Sequence, residues 1–216
     1  MRMLRERVAS RLAFLSEELR SEWWTLAVRV NAAYWAIVLG EGCRFYGPLH
    51  LRRAPGSQIR IGSRCLFRSS AWSNRVGLDR ACMLSTLYEG ARIVIGEGSG
   101  LSGTVIAAAT AVDLGKSVVC GGNVTIMDTD WHGVGPEDRC RRGTSEAVTI
   151  EDNVWLGLGV VVLKGVTIGH DTVVSARSVV SRSLPPGVLA AGNPAVPVGV
   201  VTPHAAERPQ PSGCEE

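Results

Sequence analysis

From Ile150 to Val180 an aliphatic residue recurs at every sixth position: Ile150, Leu156, Val162, Ile168, Val174 and Val180. Two residues before each stands a small or β-branched one: Val148, Val154, Val160, Val166, Thr172 and Ser178. Neither a helix, with its period of 3.6, nor a simple strand, with its period of 2, requires that spacing. A hexapeptide period is the mark of a parallel β-helix, in which each repeat forms one short face of a coil. A run of unrelated sandwich strands is the competing reading, but such strands do not hold one phase over thirty residues. One coil cannot close a core, so several must stack and pile their aliphatic side chains into ladders. Glycine directly after the aliphatic position (Leu156-Gly157, Ile168-Gly169) suits a corner where the backbone turns tightly.

The period extends upstream with interruptions. Ile95, Leu101 and Ala107 lie six apart, as do Leu114, Cys120 and Ile126, with one extra residue between the sets. Ile61-Gly62 reads as an earlier coil, while residues 64–92 have no phase that can be assigned. Residues 41–201 are therefore expected to form the β-helix, interrupted by an inserted loop at 128–147 rich in glycine and charge. Loops inserted into solenoids often carry the binding face. Leu184-Pro185-Pro186-Gly187 is expected to end the coils, because prolines cannot donate to a ladder. A tail at 202–216 is expected to be disordered.

Residues 1–40 read as a separate N-terminal unit, a long amphipathic helix over 3–38. Leu4, Val8, Leu12, Leu15, Leu19, Trp23, Leu26, Val30, Ala33 and Ile37 trace one helical face. That face is expected to pack on the β-helix or on neighbouring subunits, with a membrane surface as the alternative. Arg29 and Asn31 interrupt the apolar second half, which is too short to span a bilayer. A net charge of +3 gives no footprint for nucleic acid. The six cysteines form no CxxC pair and no zinc-ligand spacing, and no secretory signal is visible. Reduced thiols and a cytoplasmic protein follow as expectations.

Three motifs add a resemblance. Val154-Trp155-Leu156-Gly157 is followed by Leu163-Lys164-Gly165-Val166-Thr167-Ile168-Gly169, and later by Ala191-Gly192-Asn193-Pro194-Ala195. Over about 93–198 the chain resembles the hexapeptide-repeat acyltransferases, in particular the branch with galactoside, maltose and colanic-acid O-acetyltransferases. The loop Asp128-Thr129-Asp130-Trp131-His132 is similar to the loop that carries the catalytic histidine in that branch. The resemblance implies a left-handed β-helix, a homotrimer with sites between subunits, acetyl-CoA as cosubstrate, a saccharide or other small-molecule acceptor, and no metal.

Acyl transfer to a hydroxyl needs a base, and histidine, with an ordinary pKa near 6.5, is suited to it. His132 is the candidate, since it sits on the inserted loop rather than on a ladder; His170, His50 and His204 lack that setting. Asp130 and Asp128 have two readings: the carboxylate orients the histidine, or it accepts hydrogen bonds from the acceptor. By position in the family, the backbone N–H of Leu158 faces the oxyanion, Ala176 and Ser181 lie along the pantetheine arm, and Arg182 stands near the CoA phosphates. Relatives carry a small residue at the Leu158 position and lysine at the Arg182 position. Trp155 lines the acyl site or packs at an interface. Acetylation of a non-sugar hydroxyl and a non-catalytic trimeric scaffold are the other functions compatible with these residues. A zinc hydratase on the same fold needs three histidine ligands across coils, which four histidines, one in the tail, do not supply.

Overall fold

A computed structural model describes residues 2–202; the rest of the expected tail, with His204 and Cys214, lies outside them. After the N-terminal helix, Arg2–Tyr34, the chain winds as a left-handed parallel β-helix with three faces. The first sheet stacks Val38–Leu39, Gln58–Ile61, Arg92–Ile95, Ala111–Leu114, Val148–Ile150 and Thr167–Ile168. The second stacks Arg44–Tyr46, Leu66–Arg68, Gly100–Ser102, Val119–Gly122, Trp155–Leu156, Val173–Val174 and Val188–Gly192. The third stacks Leu49–Arg52, Cys82–Thr86, Val105–Ala108, Thr125–Met127, Val161–Val162 and Val179–Val180.

The hexapeptide ladder is the register of these sheets. Ile150 pairs with Ile168, Leu156 with Val174 and Val162 with Val180, so three repeats make one turn. All six side chains are buried, each contributing about 1.5–3 kcal/mol against the entropy of ordering. The small or β-branched residues two places before them, Val148, Val154, Val160, Val166, Thr172 and Ser178, are buried as well, while the residue directly before each rung points outward. Upstream, the inward rung opposite Ile126 is Ile106 and not Ala107, because the corner at Gly103 is one residue shorter than the later ones. The stretch at 64–92 resists phasing because the chain leaves the coil at Ser69 and rejoins it at Cys82. Phe67, six residues after Ile61, still fills its rung and stacks on Phe45 at 5.0 Å.

The glycine that follows the aliphatic rung has a different cause from the one expected. Gly62, Gly96 and Gly115 do not adopt positive φ. They are required because the next coil presses on them: a Cβ on Gly96 would lie 2.3 Å from the Gly115 carbonyl carbon and oxygen. The left-handed residue comes two places later, at Arg64, Ser117, Asn153 and Asp171.

Two boundaries differ from expectation. The helix stops at Tyr34 rather than 38, and Val38–Leu39 is already the first strand. Ala36, at φ 50, caps it: the Ile37 N–H reaches back to the Ala32 carbonyl and the Ala36 N–H to the Ala33 carbonyl. This paired arrangement usually carries glycine at the left-handed position, so alanine leaves no mark in the sequence. At the other end, Pro185-Pro186 form a corner and not a terminus. Val188–Gly192 adds another parallel strand to the second sheet, and Ala195–Val200 then returns antiparallel to it.

The helix contacts strands of all three faces of the first coil and covers its open end. It does so with Val28 and Ala32, which join the core, assisted by Trp24 and Trp35. The Thr25 hydroxyl accepts the Phe45 N–H, and Glu18 pairs with Arg44. This docked side is opposite to the apolar face expected to pack: Leu12, Leu15, Leu19, Trp23, Leu26 and Val30 are all exposed.

Candidate active site

The loop between Met127 and Val148 leaves the corner that joins the third face to the first. Asp128 anchors its start. The side chain is fully buried; Oδ1 accepts the Ala109 N–H at 2.6 Å, and Oδ2 accepts those of Thr110 and Ala111 at 2.7 Å each. Those three donors belong to the preceding coil's turn at the same edge. The far end of the loop is tied by the Glu146 N–H to the Asp128 carbonyl and the Gly165 N–H to the Glu146 carbonyl. Between them Arg142 stacks over Tyr88 at 3.7 Å.

His132 sits on this frame in a constrained way. Trp131 has φ 64, and the His132 N–H bonds the Asp130 carbonyl at 2.7 Å. That is a γ-turn with positive φ at its centre, a rare and strained form, and doubly so for a bulky residue. The imidazole Nδ1 lies 2.8 Å from the Arg139 carbonyl oxygen. A carbonyl only accepts, so Nδ1 carries the proton of the neutral ring and Nε2 keeps its lone pair. The ring is solvent-exposed. Among the described residues, the backbone of Arg139 holds the tautomer that Asp130 was one candidate to hold.

The Asp130 carboxylate instead faces Lys164 Nζ at 2.9 Å and accepts the Thr144 hydroxyl at 2.8 Å. The hydrogen bond from Lys164, then that from Thr144, holds its pKa below the ordinary carboxylate value. Lys164 is thus a strut of the loop, contributed by the corner one coil above Asp128. Sequence reasoning included Lys164 only within a motif, and missed Tyr88 and the backbone carbonyl of Arg139.

Ser181 and Arg182 are exposed at this same edge, one coil above Leu163 and Lys164. Leu158 and Ala176 are elsewhere, at the corners joining the second face to the third. The third face separates the two edges, about 15 Å for a face of four or five extended residues. The candidate residues of one chain thus fall into two groups that do not meet. Trp155 projects from the second face, half exposed, in a column with Val119, Val173 and Leu189.

The Leu158 N–H has no acceptor among the described residues. At the corners one edge over, the comparable N–H groups of Lys116 and His170 are taken by the carboxylates of Asp152 and Glu151. An unpaired N–H at a rigid corner is suited to a developing oxyanion. Beside it lies a pocket of about 380 Å³ lined by residues including Leu158, Asn123, Arg80 and Arg177. The excursion at 69–81 forms its far wall. Arg80 fastens that wall, donating to the Gly103, Asn123 and Val124 carbonyls and to the Thr125 hydroxyl. The Leu158 side chain lies over Gly122, where a Cβ would approach its Cδ1 to 2.8 Å.

A larger cavity, of about 620 Å³, lies along the opposite edge and is lined by Asp113, Glu151, Asp152, Asp171 and His170. Its carboxylates repel an anionic cosubstrate. His170 there hydrogen-bonds Asp171 at 2.8 Å, which raises its pKa and favours the imidazolium, a poor base. Among the described residues no group of three His, Cys, Asp or Glu side chains is placed to hold a metal.

No family model matches the chain. The galactoside O-acetyltransferase of Lactococcus lactis is 47% identical over 87 residues, which make up 39% of this chain and 41% of that protein. The chain therefore matches about two-fifths of that relative's length. Among solved structures, a polysialic acid O-acetyltransferase superimposes with a TM-score of 0.63 over 82% of this chain and 79% of the other, at 20% identity. A hexapeptide-repeat acetyltransferase from Vibrio cholerae, complexed with acetyl coenzyme A, gives 0.53 over 90% and 86%, at 24% identity. The resemblance to the hexapeptide-repeat acetyltransferases, carried in the sequence by the repeat and the His132 loop, is borne out by these likenesses.

Proposed function

We propose that the chain is an acetyl-CoA-dependent O-acetyltransferase that acts on a saccharide hydroxyl. The observation that carries this reading is the His132 ring: its Nδ1 faces the Arg139 carbonyl, which leaves Nε2 as the basic atom on an exposed, braced loop. Nε2 takes the proton of the acceptor hydroxyl while the oxygen attacks the thioester carbonyl carbon. The carbon–oxygen bond forms, and the carbonyl oxygen becomes an oxyanion facing the Leu158 N–H. Collapse breaks the carbon–sulfur bond, and the imidazolium returns its proton to the departing thiolate. Atoms and charge balance with no covalent enzyme intermediate. Asp130 serves here as a positioning residue through Lys164 and Thr144. Ser181 and Ala176 lie along the pantetheine arm, Arg182 pairs with the CoA phosphates, and Trp155 flanks the acyl group.

His132 and Leu158 occupy different edges of one chain, yet the reaction needs Nε2 within about 3 Å of the attacking hydroxyl and the Leu158 N–H within about 3 Å of the carbonyl oxygen under attack. A homotrimer in which each His132 loop faces the Leu158 edge of a neighbour satisfies that requirement. A cytoplasmic setting accords with the unpaired Cys43, Cys65, Cys82 and Cys120 and with a cosubstrate supplied by metabolism. Thiol release from acetyl-CoA, measured across free sugars, nucleotide sugars, serine and chloramphenicol, tests the reading. Release that depends on a sugar supports it. Release with serine or chloramphenicol alone moves the acceptor to a non-sugar hydroxyl. Neither release nor CoA binding by calorimetry leaves the scaffold reading in its place.

A further inference from the structure

The N-terminal helix docks on the coils by one side and carries a longer apolar stripe on the opposite one. Ser21, Thr25, Val28 and Ala32 face the first coil. On the other side Leu12, Leu15, Leu19, Trp23, Leu26, Val30 and Tyr34 succeed one another in steps of 3, 4, 4, 3, 4 and 4. That is an eleven-residue repeat, the period that keeps an apolar stripe nearly straight along a helix. All seven side chains are at least 55% exposed, and Tyr34 reaches 82%. No partner covers them among the described residues. The stripe runs about 33 Å at 1.5 Å per residue. At about 100 Å² for each large side chain it presents on the order of 700 Å² of apolar surface. A monomer's largest apolar patch is usually about 300–600 Å².

Its direction narrows the occupant. The helix closes the end of the prism, so the side opposite the docked one points away from the coils along the prism axis. Neighbours arranged in a ring around an axis parallel to the prism do not cover a surface that faces along it. A second copy turned over by a two-fold axis does. The area agrees: a stable pairwise interface takes about 800 Å² from each partner. The stripe has its own symmetry, since Trp23 lies midway between Leu12 and Tyr34. In an antiparallel pair Trp23 meets its own copy and Leu12 meets Tyr34. The flanking charge favours a protein partner over an anionic bilayer. Over residues 11–34, Arg11, Arg20 and Arg29 are balanced by Glu17, Glu18 and Glu22, whereas surface-binding helices are rich in basic residues.

We infer that the stripe is a second oligomeric interface, joining two copies end to end through antiparallel N-terminal helices across a two-fold axis. Combined with a trimeric ring it makes a dimer of rings. The inference rests on the helix alone and stands whether or not the catalytic reading does.

Light scattering on the full chain, wild type beside Leu19→Glu and Leu26→Glu, tests it. Both positions are exposed, 73% and 64%, so far-ultraviolet circular dichroism should not change. The expected result is a twofold fall in mass for each variant. A second arm places Trp23→Cys in a background with Cys140 and Cys214 changed to serine; with oxidised glutathione as oxidant, a covalent dimer is expected. A mass that does not change on substitution, or no covalent dimer, overturns the inference. So does co-sedimentation with phosphatidylcholine–phosphatidylglycerol vesicles that the glutamates abolish while the mass stays the same, which would make the stripe lipid-facing.

Discussion

Replacing Asp128 by alanine removes the acceptor of three backbone N–H groups at the base of the His132 loop. Two of the donors, on Ala109 and Ala111, are buried, and that of Thr110 is partly so. An unsatisfied buried N–H costs about 1–3 kcal/mol; with water entering the vacated space the lower part of that range, about 1–2 kcal/mol each, applies, so the three losses sum to about 3–6 kcal/mol. That is a large share of the roughly 5–15 kcal/mol by which a domain is stable. With a urea dependence of about 2 kcal/mol per molar, the unfolding midpoint should fall by about 1.5–3 M. Asparagine tests the geometry further. Its oxygen can replace Oδ2 and keep two acceptances, while its amide opposes the Ala109 N–H, so its midpoint should lie between the other two. Because Asp128 launches the loop, turnover should fall together with stability, by about a hundredfold for a displacement of the base by 1 Å. Urea unfolding followed by tryptophan fluorescence gives the midpoints, and thiol release gives turnover. An alanine midpoint indistinguishable from wild type, or an asparagine variant less stable than alanine, would refute the reasoning.

Three further outcomes follow from the same contacts. At Trp131, where φ is 64, glycine should be more stable than alanine by about 1 kcal/mol, because both lose the indole and only alanine keeps the left-handed penalty; equal urea midpoints would contradict the γ-turn. Gly96→Ala should cost about 2–4 kcal/mol, because the added Cβ meets the backbone of Gly115 at 2.3 Å with no flexible side chain to yield; a thermal midpoint within a degree of wild type would contradict the packed corner. Lys164→Met should cost about 0.5–1 kcal/mol for a half-buried pair. Since Lys164 lowers the Asp130 pKa from 3.8, that contribution is fully present above the unfolded carboxylate value and is lost as pH falls through the lower folded value. The gap between wild type and variant should stay level from pH 8 to pH 5, and its closing near neutrality would exclude Asp130 as the partner.

The repeat was legible where nothing interrupts it. From Ile150 to Val180 each rung predicted from spacing is a rung of the fold. The register was lost where the chain departs from six: the excursion at 69–81 hid one coil, and the short corner at Gly103 moved a rung from Ala107 to Ile106. The end of the helix was unreadable because alanine stands in the left-handed position of its cap. The side that docks on the coils was not legible, because Val28 and Ala32 stand opposite a longer apolar stripe, and periodicity alone does not say which side meets the coils and which a neighbouring subunit. The loop histidine was visible through resemblance, but its support was not. Asp128 and Asp130 look alike in sequence, and only tertiary contacts send one to three backbone donors and the other to Lys164. A backbone carbonyl such as that of Arg139 leaves no signature in side-chain identities.

The most direct test of the account is the turnover of His132→Ala with a responsive acceptor, measured beside its urea midpoint. The side chain is exposed and tied at one ring nitrogen, so the midpoint should barely move. Turnover should fall by about two to four orders of magnitude, the scale of general-base catalysis, with little change in the KM for acetyl-CoA. Turnover within a few-fold of wild type would contradict the assignment of Nε2 as the base, and with it the reading of the loop as catalytic.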